Sequence, residues 1–224
     1  MEIEVWSDVI CPFCYIGKRK LEVALEQTGI SATLHWRSFE LNPMAPPSYG
    51  IGLLELFTGH YGMSQEQALG LLHHEEREAQ RMGLAFDWQA AQPGSTFHAH
   101  RLLKLAASQG LADAVQERFM RAYFSEGARI GDAAVLQQLA EEAGLAADTV
   151  ASVLQGREYT QDVRADQRRA QELGIRGVPY FLINGQVAVS GAREVADFVD
   201  VLQSQRSPDT AGEQCADGRC DLPS

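Results

Sequence analysis

The sequence lacks any apolar run near the ~20 residues that a membrane-spanning helix needs, which excludes a transmembrane reading. It also lacks a basic start followed by an apolar stretch: Met1 leads directly into Glu-Ile-Glu-Val-Trp. A secretory signal is therefore not expected, and the expected location is the cytoplasm. Positive charge is in short supply, with 19 Lys and Arg against 30 Asp and Glu and a net charge of −11. That balance offers no long-range attraction to nucleic acid or to an anionic membrane, so neither is expected as a partner. Lysine is scarcer than arginine, with Lys18, Lys20 and Lys104 the only ones in the chain, and no internal repeat is visible. Cysteine is sparse too, at four in 224 residues. A chain of this length buries a sizeable core without covalent staples and reads as one compound domain. The cysteines are thus free for chemistry.

They come as two close pairs, Cys11 with Cys14 and Cys215 with Cys220. In a reducing compartment such pairs are metal ligands or redox catalysts more often than structural disulfides. The elements around the first pair favour redox. Residues 2–6 alternate as a strand with Ile3 and Val5 on one face, and residues 32–36 repeat the pattern with Ala32, Leu34 and Trp36. Between them, residues 12–28 carry Leu21, Ala24 and Leu25 at helical spacing and stop near Gly29. After a polar helix at 161–173, Val178 to Ile183 reads as a buried strand. Asn184-Gly185 then turns the chain into a returning strand, and Val195, Phe198, Val199 and Leu202 form the apolar stripe of a last helix. The stretch 44–156 reads as helical throughout. Ser64 with Gln67 and Asp113 with Gln116 are capping-box patterns, Gly83, Gly110, Gly144 and Gly156 sit at expected helix ends, and Asn42–Gly52 forms the entry linker. Strand–helix–strand plus strand–strand–helix around one sheet predicts an α/β, thioredoxin-like fold. It is divided as 1–43 with 157–206, a helical insertion at 44–156 and a tail at 207–224.

Cys11-Pro12-Phe13-Cys14 falls where the first strand gives way to its helix. At a helix start, unpaired backbone N–H groups and the positive end of the dipole stabilise a thiolate, and the thiolate is the nucleophile in disulfide exchange. Pro12 suits the first turn because its missing N–H has no partner to lose there. Cys14, on the same side of that turn, is placed to resolve a mixed disulfide at Cys11. Lys18 and Arg19 are expected to add positive potential and Asp8 to oppose it. Two buried core cysteines, or half of a zinc site, are the competing readings. Pro179, inside an apolar strand-like run, is an unusual position unless it lies at an edge or bulge. A cis bond there would abut the cysteine pair and let the backbone of Val178 meet an extended substrate segment.

The stretch Ser-Asp-Val-Ile-Cys-Pro-Phe-Cys-Tyr-Ile-Gly-Lys-Arg resembles the DsbA-type thiol:disulfide oxidoreductases, specifically their FrnE-like branch. Phe39-Glu-Leu-Asn-Pro43, Ala99-His-Arg-Leu102, Gly174-Ile-Arg-Gly-Val-Pro-Tyr-Phe181 and Ser190-Gly-Ala192 resemble further blocks of that family. The resemblance spans about residues 1–205. It implies a thioredoxin fold with a helical insertion, dithiol–disulfide exchange with Cys11 as nucleophile and Cys14 as resolving thiol, and Pro179 as a cis-proline. It implies no cofactor or metal. Partners would be protein or small-molecule thiols and disulfides, with glutathione or a thioredoxin-like reductant to reset the pair. Pro12, Phe13 and Val178 are the expected substrate contacts. The same fold resembles kappa-class glutathione transferases and 2-hydroxychromene-2-carboxylate isomerases, which typically carry serine at the position of Cys11. A glutathione-dependent isomerase or transferase is therefore one alternative, and a four-thiolate metal-binding or redox-sensing protein is the other.

The tail from 207 has linker composition before Cys215-Ala-Asp-Gly-Arg-Cys220, where Asp217-Gly218 can turn the chain and let the two sulfurs meet. Nine or so linker residues span roughly 30 Å, enough for a second redox pair to reach Cys11. Other signals read as structural. His98 and His100 point to different sides of a helix, and His35 is expected to be structural. His73 and His74 amid Glu75, Glu76 and Glu78 read as a solvated face. Phe57, Tyr61, Phe119, Tyr123 and Phe124 read as core of the helical insertion.

Overall fold

Alternation in the first strand and an apolar run in the third build a sheet that is covered on both faces. The computed structural model describes residues 1–206. Its four strands are β1 (Glu2–Ser7), β2 (Thr33–Ser38), β3 (Tyr180–Ile183) and β4 (Val187–Ser190), in the order β2-β1-β3-β4. β1 runs parallel to β2, with Glu2 opposite Thr33, and antiparallel to β3, with Ile3 opposite Ile183. The β3–β4 hairpin turns at Asn184 and Gly185, at φ 50° and 68°. Positive φ at both turn residues is what an Asn-Gly hairpin turn requires.

Helix α1 (Pro12–Thr28) crosses between the parallel strands and packs, with α9 (Val195–Ser204), on one sheet face. There Leu21, Ala24, Phe198 and Leu202 meet Ile3, Val5, Phe181 and Ile183. On the other face Trp6 and Leu182 pack with Ala170 of α8 (Thr160–Glu172) and with Ile175. This is the thioredoxin-like arrangement, with the expected helical insertion between β2 and α8. The insertion holds α2 (Leu53–Gly59), α3 (Gln65–Arg81), α4 (Phe97–Ser108), α5 (Ala112–Glu126), α6 (Ala133–Glu142) and α7 (Ala147–Gln155). Its core is continuous with the start of α1: Val9, Cys11, Cys14, Tyr15 and Ile16 belong to the same buried cluster as Leu72, Leu102, Phe119 and Leu136. Arg101 of α4, 1% exposed, ties the insertion's last turn down. Its guanidinium donates to the carbonyls of Val153, of Gly156 at 2.9 Å and of Glu158 at 2.8 Å.

Three local expectations need correction. The Ser64–Gln67 capping box forms, whereas Asp113 lies inside the first turn of α5, whose N-cap is Leu111. The carboxylate of Asp113 pairs with Lys18 at 3.4 Å instead of capping backbone N–H groups. The strand expected from Val178 begins at Tyr180, after the proline. Finally, Glu75 is not on a solvated face. It shares the buried side of α3 with Ala68, Leu72 and Ala79, is 6% exposed, and burial alone pushes its carboxyl up to about 7.

Close packing at Gly17 joins α1 to the sheet, since an added Cβ would sit 3.0 Å from Pro179 Cγ and 3.2 Å from Phe181 Cζ. Gly17→Val is expected to lower stability by about 1–3 kcal/mol through overpacking. Gly70→Ala, on α3 with nothing within 4 Å of its added Cβ, is expected to raise it by about 0.5–1 kcal/mol. Urea midpoints at unchanged m-value check both. The raised carboxyl of Glu75 sets a pH slope as well. Between the ordinary carboxylate range and about pH 7 the folded protein keeps a proton that the unfolded chain has lost, so stability falls as pH rises through that window. Glu75→Gln is expected to flatten this slope, with an advantage over the parent that grows to as much as about 3 kcal/mol above the window and shrinks below it. Unfolding midpoints measured across the pH range read it directly.

Candidate active site

The chain leaves β1, turns through Asp8–Ile10 and enters α1 with Cys11 as its N-cap, in extended backbone at φ −88° and ψ 114°. The turn is held by the Cys11 amide donating to the Asp8 carbonyl at 3.2 Å, and the Cys11 carbonyl accepts the amides of Cys14 at 3.0 Å and Tyr15 at 3.3 Å. Pro12 occupies the first helical turn, which carries no acidic residue. Cys11 therefore sits at the positive end of a 17-residue helix. Its Sγ donates to the Val178 carbonyl at 3.7 Å. The Val178–Pro179 bond is cis, as the sequence led one to expect, and the Gly191 amide donates to the Pro179 carbonyl at 2.9 Å. Cys11 and Cys14 are free thiols, 5% and 2% exposed. Burial first, and then the neighbouring Cys11, pushes the Cys14 thiol well up.

The charge around the motif is not what the sequence suggested. Lys18, 2% exposed, is matched by Glu22, by Asp113 and by Glu117 at 2.9 Å. Arg19 is held at 2.6 Å by both Glu22 and Glu117, and the Tyr15 hydroxyl donates to Glu117 at 2.6 Å. These cations cement α1 to α5 and are spent locally, so the helix terminus is left as the positive element at Cys11. Asp8 is fully buried under the turn, where its carboxylate accepts the Leu41 amide at 2.8 Å and approaches His100 Nε2 to 3.3 Å. His100 is buried, while His98 sits against Arg101, so the two histidines do point apart.

A cavity of about 210 Å³ opens on Cys11 and leaves Cys14 outside its lining. Pro12 and Phe13 form one wall, while Leu53, Phe57 and Tyr61 come from α2 and the turn after it, Glu75 from α3, and Tyr123 and Phe124 from α5. Of the five aromatics read as insertion core, Phe119, Tyr123 and Phe124 are buried in it and Phe57 packs against it, whereas Tyr61 is 55% exposed; all but Phe119 also border the cavity. Glu75 is the cavity-lining residue that the sequence reading missed. The signal was present in the helical spacing of Ala68, Leu72, Glu75 and Ala79, which places position 75 on the inward stripe, but the charged neighbours masked it. His74, by contrast, is exposed and tilts against Phe13 with ring centres 6.1 Å apart. Cys215 and Cys220 lie outside the described residues. Among the described residues no three His, Cys, Asp or Glu side chains converge as a metal-ligand set, and no helix is long and apolar enough to cross a membrane.

The fold recurs in known proteins. A probable DsbA oxidoreductase from Streptomyces coelicolor is 36% identical over the full length of both chains, with a TM-score of 0.87. An uncharacterized protein of Bacillus subtilis, YwbO, is 29% identical over 195 residues, covering 86% of this chain and 90% of its own. The cytosolic disulfide reductase DsbM of Pseudomonas aeruginosa shares the fold at 21% identity and a TM-score of 0.63, with 92% of this chain and 98% of that one covered. The model of the DSBA-like thioredoxin domain matches residues 2–203, all but the outermost residues of the described chain. On that match the chain belongs to the DSBA-like thioredoxin domain family.

Proposed function

We propose that the chain is a thiol:disulfide oxidoreductase that works by dithiol–disulfide exchange at Cys11 and Cys14. One observation carries the reading: the cavity reaches Cys11, at the N-terminus of α1, and not Cys14. A substrate sulfur entering there meets Cys11 first. In the reducing direction the Cys11 thiolate attacks one sulfur of a substrate disulfide, the S–S bond breaks, and the first substrate thiolate leaves and takes up a proton. Cys14 then gives up its proton as its sulfur attacks Cys11 Sγ. The mixed disulfide breaks, the second substrate thiol departs, and two electrons have passed from the protein to the substrate. The raised thiol of Cys14 suits a group that stays protonated until its turn comes. Run backwards, the same steps oxidise a substrate dithiol.

In this reading Pro12, Phe13, Val178 and Pro179 border the bound substrate, and the insertion supplies the opposite wall. Substrates are protein or low-molecular-weight disulfides. Glutathione or a thioredoxin-like reductant returns the pair to the dithiol, a role to which the DsbM structure determined with GSH lends support by analogy of fold. A cytoplasmic setting favours the reductase direction, since a reducing pool resets the dithiol. Cys215 and Cys220 enter as a second pair that exchanges with the first.

Cys14→Ser is expected to abolish turnover and to accumulate mixed disulfides through Cys11, identifiable by mass spectrometry. Cys11→Ser is expected to accumulate none. A glutathione-dependent isomerase would instead keep its activity in Cys14→Ser, and that result, or the absence of any trapped species, would remove the exchange mechanism. For the second pair, Cys215→Ser is expected to slow oxidation or reduction of Cys11–Cys14 by external glutathione. Unchanged kinetics would leave the tail out of the reaction.

A further inference from the structure

The cavity at Cys11 is walled by the rings of Tyr49, Phe57, Tyr61, Phe86, Tyr123 and Phe124, yet among the described residues it contains one carboxyl, that of Glu75. Glu75 is 6% exposed, and no hydrogen bond or charge offsets its burial among the described residues. Among the described residues no Lys, Arg or His lines the cavity; His60 and His74 lie against the rings of Tyr49 and Phe13 without lining it. The other titratable groups in the lining are Cys11, Tyr49, Tyr61 and Tyr123. None of them can carry positive charge. Burial, and then the charges of Asp8 and Glu75, hold the Tyr123 hydroxyl protonated. A buried carboxylate without a counter-ion is costly, and a cation brought in by a ligand offsets that cost. Aromatic faces around it add attraction for the same ligand and none for an anion. The net charge of −11 draws cations from a distance as well.

We propose that this cavity recognises a cationic group carried next to the reacting sulfur of the substrate, with Glu75 as its counter-charge and the aromatic rings as its walls. The inference rests on the exchange reaction above and names the class of substrate that the reaction favours. An ammonium group fits whether it belongs to a small aminothiol disulfide or to a basic side chain beside a substrate cysteine. Binding the cation holds Glu75 ionised and fixes the sulfur near Cys11.

The test measures how fast the reduced full-length protein reacts with three small disulfides: cystamine (cationic), bis(2-hydroxyethyl) disulfide (neutral) and 3,3′-dithiodipropionate (anionic). Dividing each rate by that of the same disulfide with dithiothreitol removes the intrinsic difference in leaving-group acidity, and comparing the resulting ratios cancels the thiolate fraction of Cys11. Cystamine is expected to react about tenfold faster than the neutral disulfide, and the anionic one slowest. Glu75→Gln is expected to bring the cystamine-to-neutral ratio close to one, whereas Glu66→Gln, on the exposed start of α3, leaves it unchanged. Should Glu75→Gln fold poorly, the parent protein supplies the same readout: its ratio is expected to fall as pH drops through about 7, where Glu75 takes up its proton. A second arm compares peptide mixed disulfides whose cysteine is followed by Lys or by Gln. Discrimination that Glu75→Gln removes, in either arm, supports the cation site and says which source reaches it, whereas discrimination that Glu75→Gln leaves unchanged comes from the net charge and overturns the site. Ratios near one in both arms overturn the site, even if the neutral disulfide reacts well. Failure of the reduced protein to react with any disulfide would instead overturn the exchange reaction itself.

Discussion

Helix α1 is packed by two different cores, and its position decides where everything else in the molecule can stand. Leu21 and Ala24, in its second half, belong to the sheet core with Phe181 and Phe198, whereas Cys14, Tyr15 and Ile16 in its first half belong to the core of the helical insertion. The close approach at Gly17 lies between these halves and lets the helix rest on Pro179 and Phe181. A side chain there would press on the rings of Pro179 and Phe181. The insertion is thus seated on the helix that carries the cysteine pair, and its aromatic rings become the wall of the cavity at Cys11 through that seating.

The electrostatics follow from the same seam. Lys18 and Arg19 face α5 and are neutralised by Glu22, Asp113 and Glu117, so they fasten the insertion to α1 and bring no net positive charge to the sulfurs. What remains at Cys11 is the helix terminus, free of acidic residues in its first turn. Cys14 is enclosed in the low-dielectric interior, which disfavours its ionisation. The two cysteines, three residues apart, therefore occupy unlike surroundings: one opens on a cavity and the other is sealed from it. That asymmetry is what an ordered two-step exchange needs.

Much of this was legible in the sequence because local signals and the global fold agree. Pro12 after Cys11, Gly29 at the helix end, Asn184-Gly185 at the hairpin and alternation at Ile3 and Val5 each specify an element without reference to distant residues. The presence of a helical insertion was readable for the same reason, although the stretch read as helical throughout is broken by non-helical segments at 43–52 and 82–96. What could not be read was which side chains of the insertion face the cysteines. Helical spacing placed Phe119, Tyr123 and Phe124 in the core, but it does not say which core residues also border a cavity, and long-range packing decides that. Glu75 was hidden by its neighbours His73, His74 and Glu76, whose polarity suggests solvent. Asp113 matched a capping pattern, yet the nearby Lys18, far away in sequence, claimed its carboxylate. Each miss is a tertiary contact overriding a local pattern.

The central claim is that Cys11 and Cys14 form one two-electron couple. It is tested most directly by equilibrating the full-length protein in glutathione buffers of graded potential, quenching with acid, and mapping the state of each cysteine by alkylation and peptide mass. The account predicts that Cys11 and Cys14 lose their alkylation together, in a single two-electron transition of about 30 mV per tenfold change in the ratio of disulfide to dithiol. The product is a disulfide joining these two residues. Independent oxidation of the two cysteines, or thiols that stay alkylatable across the whole range of potential, would contradict it.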